Sequence, residues 1–179
     1  MKVVLIHGAP ASGKLTVARV LAENHGFKLL HNHLAVDLSL SIYDEWGEKD
    51  FHDFTDSIRR VVLKKAKELG VKFLVMTWVV SSDTNKREIQ RYLEFFDEEK
   101  ITVLPVYLAT SKSKLLERVV RKERRNSHKI SSVKELTSYL DNRTFYPIKH
   151  ADTFTIDNTS LSPEKVASLI LGQLNTKCA

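Results

Sequence analysis

Gly8-Ala9-Pro10-Ala11-Ser12-Gly13-Lys14-Leu15-Thr16 is the stretch whose reading decides the fold. Before it runs Lys2-Val3-Val4-Leu5-Ile6-His7, apolar enough to be a buried parallel strand. After it, Val17, Val20 and Leu21 fall on one face of a helix, with Ala18 and Ala22 beside them. Strand, glycine loop and helix in that order form the setting a phosphate-binding P-loop needs. Gly8 and Gly13 permit backbone angles that other residues resist, so successive N–H groups can turn inward around a phosphate. The helix N-terminus adds partial positive charge, and the Lys14 ammonium can reach the outer phosphates. All nine residues, Gly8, Ala9, Pro10, Ala11, Ser12, Gly13, Lys14, Leu15 and Thr16, are therefore candidate contacts for a nucleoside triphosphate.

Composition narrows the class. The 179 residues, 42% hydrophobic and 28% charged, suit a single domain over 1–179 with a real core. The lone cysteine, Cys178, allows no disulfide framework within one chain, in keeping with a reducing compartment. The N-terminal apolar run is too short for a signal peptide, and no stretch approaches the length of a membrane span. The expectation is a cytoplasmic protein with no membrane partner. Net charge is +6, but Arg118, Arg121, Lys122, Arg124, Arg125 and Lys129 stand against only Glu123 in their segment, which carries nearly all of it. A general polyanion binder spreads charge over a wider face, so this placement argues against nucleic acid.

Strand-like runs alternate with helical patterns along the whole chain, which predicts α/β architecture: a three-layer, doubly wound sandwich around a five-stranded parallel sheet. The expected strands are 2–7, 27–31, 71–80, 101–108 and 153–156. Expected helices follow the glycine loop up to His25, then cover 34–46, 51–69, 85–100, 111–124, 133–143 and 163–172. Gly26 and Gly70 read as helix stops, and Ser162 as the cap of the last helix. Ligands in such sheets sit at the carboxyl ends of the strands.

The loop Gly-Ala-Pro-Ala-Ser-Gly-Lys-Leu-Thr resembles that of adenylate kinases, which also lack a hydroxyl residue directly after the lysine. That resemblance implies that Thr16 touches a phosphate and that Mg²⁺ is held mainly by nucleotide oxygens and water. Leu115 to Arg125 is similar to the lid entry of shikimate-kinase-like enzymes, a Leu-x-x-Arg start with further arginines. Arg143 with Tyr146, Ala151-Asp152 and Thr155-Ile156-Asp157 resemble the same family's adenine-side loop and last strand. What the resemblance implies is a nucleoside-monophosphate-kinase-like fold with ATP as the nucleotide and a mobile basic lid over about 118–130. Arg118 would lie near the nucleotide, Arg124 or Arg125 would reach the γ-phosphate, and Arg143 would pack near the adenine. Arginine suits such work because its fixed fork of donors matches phosphate oxygens and stays charged.

Helices over about 33–69 would form the acceptor side, and here the resemblance weakens. Shikimate and gluconate kinases place aspartates just after the second strand. This chain has His31-Asn32-His33-Leu34-Ala35-Val36-Asp37 instead. Asp37 lies four residues after His33, so the two can share a helix face, and either can serve as the base that deprotonates an acceptor hydroxyl. His31, Asn32, His33, Arg59 and Asp83 are candidate substrate contacts; the resemblance implies that Arg59 sits where related kinases place an arginine for an anionic acceptor group. Thr16 and Asp83 are the candidate Mg²⁺ contacts. Asp83 also reads as a helix N-cap. Tyr43 and Trp46 are candidates for the pocket wall.

The reading is an ATP-dependent phosphotransferase that moves the γ-phosphate to a hydroxyl of a small molecule. The alternative is a nucleotide-binding regulatory protein with slow or no hydrolysis. A kinase of nucleic-acid ends predicts basic residues beyond the lid, where the sequence has little net charge.

Overall fold

In the computed structural model, residues 1–82, 84, 86–121 and 130–176 are described. Arg124, Arg125 and Asp83 lie outside the described residues.

Strand β1 (Lys2–His7) is apolar on both faces, and its position explains why. It occupies the middle of a five-stranded sheet of order β2-β3-β1-β4-β5. Its neighbours are β3 (Phe73–Trp78) and β4 (Thr102–Leu108), with β2 (Lys28–Leu30) and β5 (Phe154–Ile156) as short edges. Every pairing is parallel, with Ile6 opposite Thr77 on one side and Val106 on the other. Because strand side chains alternate, Val4 and Ile6 face one layer and Val3 and Leu5 the other.

The first layer holds α1 (Lys14–His25) and α7 (Pro163–Thr176), whose Val17, Leu21, Val166 and Ile170 pack on Val4, Ile6 and Val106. In the second, Leu63 of α3 (Phe51–Glu68) and Phe95 and Phe96 of α4 (Lys86–Glu98) join Val3, Leu5 and Met76. A smaller cluster joins Ala9 and Ala11 of the glycine loop to Leu115 and Val119 of α5 (Lys112–Val119) and Leu136 of α6 (Val133–Asp141). The remaining described helix is α2 (Asn32–Ser39). No helix among the described residues is long and apolar enough to cross a membrane.

The three-layer architecture and the five parallel strands are as the sequence predicts; β2 and β3 are shorter than the expected 27–31 and 71–80, and the other differences lie at helix ends. Gly26 closes α1 with φ of 71°, and Ser162 Oγ accepts from Lys165 N at the start of α7. Gly172 does not stop α7, which runs on to Thr176 with Leu174 buried against the sheet. The predicted helix over 34–46 is really α2, ending at Ser39. Ser39 Oγ is committed to Ala35 O and to Thr55 Oγ1 on α3. Positive φ at Gly47 and Lys49 then turns the chain into α3. Helix α5 ends at Val119, short of the predicted 124.

Candidate active site

The glycine loop leaves the carboxyl end of β1 in a conformation that residue identity enforces. Gly8 has φ of 141°, and a Cβ there would stand 2.8 Å from Leu108 O of β4. Gly13 has φ of 92° and Ala11 φ of 65°. A non-glycine residue in the left-handed region costs roughly 1–2 kcal/mol, so Ala11 stores strain at the loop. The far side of the loop is tied down. Ser12 O accepts from Asn158 Nδ2 (2.8 Å) and Arg118 Nη1 (3.3 Å), and Asn158 Oδ1 accepts from Thr110 Oγ1. Arg118 Nη2 also donates to Asn158 O at 3.1 Å. Burial, with Arg121 second, lowers the Arg118 pKa from its usual value.

On the open side, Lys14 Nζ donates to Gly8 O (2.9 Å) and Ala9 O (2.7 Å). His7 sits fully buried beneath the loop, its Nε2 accepting from Ile148 N at 3.4 Å. Burial first, and the Lys14 charge second, push its pKa down to about 3. The imidazole is therefore neutral at physiological pH.

A cleft of about 880 Å³ opens from Lys14, Leu15 and Thr16 towards the carboxyl end of β3. Asn32, on the first turn of α2, is held from two sides: its N–H donates to Thr77 Oγ1 (3.1 Å) and its Oδ1 accepts from Arg59 Nη2 (2.7 Å). Arg59 is only 8% exposed, yet it lines the cleft. His31 and His33 line it too. Asp37 does not. Its side chain is 55% exposed and stands 3.7 Å from His33 Nδ1, outside the cleft wall. The four-residue spacing puts both on one side of α2, but the helix end turns only His33 inward. Of the two expected wall aromatics, Trp46 lines the cleft and Tyr43 instead donates to Asp50 Oδ1.

Arg143 also belongs to the cleft wall. Its guanidinium lies 4.2 Å from the Tyr139 ring centroid, and both residues line the cleft. The following segment is pinned to the end of β3 by a Ser81–Phe145 antiparallel bridge and by Ser82 N donating to Thr144 O (2.8 Å). That puts Arg143 on the β3 side of the loop, whereas Arg118 and Asn158 occupy the β5 side.

Two lining groups carry no motif in the sequence, Trp78 at the end of β3 and Glu88 in the first turn of α4, and neither does Asn158, buried behind the loop. The Glu88 carboxyl is raised above its usual pKa, chiefly by burial, with His52 and Arg59 nearby opposing the rise. Among the described residues, no group of three His, Cys, Asp or Glu side chains forms a metal cluster. Of the two expected Mg²⁺ contacts, Thr16 lines the cleft.

A strained glycine loop at the end of a central parallel strand, with a lysine over its mouth, defines a P-loop nucleotide-binding fold. The family model described as an AAA domain matches residues 4–139, and the chain belongs to that family. No curated protein matches the sequence. Among solved structures, a provisionally assigned kinase from Chloroflexus aurantiacus is similar with TM-score 0.69 and 14% identity, over 98% of this chain and 96% of the other. A gluconokinase from Sinorhizobium meliloti follows with TM-score 0.59 and 17% identity, over 98% and 92%. A shikimate kinase from Acinetobacter baumannii in complex with shikimate has TM-score 0.58 and 21% identity, over 98% and 93%. At these identities the likeness is one of fold: the chain has the P-loop kinase fold.

Proposed function

We propose that this chain is an ATP-dependent phosphotransferase whose acceptor is a hydroxyl group of a small molecule. One observation carries the reading: a cleft joins the Lys14 loop to the part-buried Arg59–Asn32 pair, so donor and acceptor ends open into one space. Loop N–H groups between Gly8 and Gly13 and the start of α1 would receive the phosphates of ATP. Lys14 would exchange its loop carbonyls for phosphate oxygens and stabilise charge on the γ-phosphoryl group. Arg118 and Asn158 hold the back of the loop and so fix where the phosphates lie.

In the transfer, the acceptor oxygen bonds to the γ-phosphorus as its bond to the β,γ-bridging oxygen breaks, leaving ADP. The acceptor proton passes to a base in the cleft. His33, which lines it, is better placed than Asp37, whose carboxylate stands 3.7 Å from the imidazole outside the cleft wall. Thr16 would contribute a hydroxyl towards Mg²⁺, which supplies Lewis-acid charge neutralisation when bound. Arg59 and Arg143 offer their donors to an anionic part of the acceptor, with His31 and Asn32 beside them. We keep Arg124 and Arg125 as lid arginines, and residues 1–179 as one domain, on the sequence alone.

The test is transfer of label from γ-labelled ATP·Mg into pooled alcohols, nucleosides and sugars, with Lys14→Ala alongside. A labelled product from the wild type, falling about 100-fold or more in the variant, is the expected result. Release of free phosphate alone would instead identify a nucleotide-dependent regulatory protein.

A further inference from the structure

Two opposite charges face the acceptor end of the cleft without neutralising each other. Arg59 has five N–H donors and, among the described residues, one neutral partner, Asn32 Oδ1. Glu88 lines the same cleft, and among the described residues no hydrogen bond or ion pair reaches its carboxylate. The two are close enough to influence one another electrostatically, yet no ion pair joins them. A mere charge-compensating glutamate would close that gap, because a bidentate arginine–carboxylate pair is the stronger arrangement.

The other charges around Glu88 are accounted for. On α3, Asp53 engages Arg91 at 3.4 Å and Asp56 engages Arg60 at 2.7 Å. His52 is stacked edge-on against Phe51 and Trp46. A helix-dipole role alone needs only a solvent-facing carboxylate in the first turn of α4, whereas this one is drawn into the cleft and penalised by burial. The walls beside it are aromatic, with Trp46, Phe51 and Trp78 lining the same space. Ring faces attract cations, and a partly desolvated carboxylate gains most from a cationic partner.

We propose that Glu88 receives a cationic nitrogen of the acceptor while Arg59 receives its anionic group, so that the acceptor is a hydroxylated zwitterion of the amino-acid type. This rests on the kinase reading for the hydroxyl, but the charge recognition stands on the cleft alone. The geometry selects by two points: an acceptor lacking the amine leaves the half-buried Glu88 uncompensated. One lacking the anion does the same to Arg59.

Intrinsic fluorescence tests it directly, because Trp46 and Trp78 are the only two tryptophans in the chain and both line the cleft. The probes are serine, homoserine and threonine, each paired with its deamino hydroxy acid. Wild type, Glu88→Gln and Glu88→Asp are titrated with each. The amino forms should bind the wild type at least about tenfold more tightly than their deamino partners. Glu88→Gln should abolish that preference while the hydroxy acids still bind, and Glu88→Asp should retain part of it. Thermal melts of both variants check folding. Equal binding of each pair, a preference that survives Glu88→Gln, or no saturable response from any probe overturns the proposal. Label transfer from γ-labelled ATP to the same probes separates the two readings. Amine-dependent binding without transfer sinks the kinase and leaves the zwitterion site standing. Transfer to amino and deamino forms alike does the opposite.

Discussion

The two ends of the cleft are built on opposite principles. Behind the glycine loop nearly every polar atom is used: Ser12 O, Asn158, Thr110 and Arg118 bond one another, and Lys14 spans the loop carbonyls. At the acceptor end, Arg59 has one neutral partner and Glu88 has none among the described residues. Saturated bonding makes one end a rigid cradle for a ligand common to many proteins of this fold. Unsaturated charge makes the other end a place where the ligand itself completes the bonding. Stability therefore resides in the first and specificity in the second.

Several substitutions break or sharpen that contrast, beginning with the largest effect. Gly8→Ala drives a Cβ against Leu108 O in a backbone region closed to alanine, and should cost about 3 kcal/mol. Urea denaturation measures it, and a near-neutral result would show the loop is softer than its contacts imply. Next comes pH. His7 has a folded pKa of about 3 against 6.5 for the free side chain, so the unfolded chain binds the proton first. Its stabilisation is complete above about pH 6.5 and is lost as pH falls towards 3, amounting to about 2 kcal/mol by pH 5. The slope should flatten in His7→Gln.

The third comparison takes one residue from each end. Asn158→Leu removes a buried amide from Ser12 O and should cost about 1–2 kcal/mol. Arg59→Met removes a buried, barely bonded charge and should be neutral or mildly stabilising. If the order of the two is reversed, the division between stability and specificity fails. The smallest effect belongs to Asp37→Asn. With an exposed carboxylate outside the cleft, it should lower turnover by less than about threefold. A loss of a hundredfold would restore Asp37 as the base.

The loop end was legible because its signal is local. Two glycines, a lysine and a strand-to-helix switch lie within a few residues, and Gly26 marks the end of α1 by backbone geometry alone. The acceptor end was legible in part. Arg59 and Asn32 stand out by residue type, but their pairing across 27 positions does not. Glu88 was missed because an acid in a helix's first turn is ordinary in any sequence. Asp37 stands outside the cleft wall, which the sequence does not reveal because a spacing of four fixes a shared face without saying which way it turns. The side on which Arg143 lies depends on the Ser81–Phe145 bridge, a non-local pairing with no counterpart in local composition. Gly172 reads as a stop, yet the burial of Leu174 outweighs the entropy it adds to α7.

The central position of β1 has a consequence for the order of events as the chain folds. Its partners begin some 70 and 100 residues downstream, at Phe73 and Thr102, and Gly8 takes its shape against the last carbonyl of β4. The loop is contiguous in sequence but remote in assembly, since closing those long segments is slow. Nucleotide binding should consequently emerge with the slowest refolding phase, and stopped-flow binding of a fluorescent ATP analogue would time it. A chain that can hold nucleotide should already have docked β4 beside β1, which makes occupancy of the loop a certificate that the centre of the sheet is assembled.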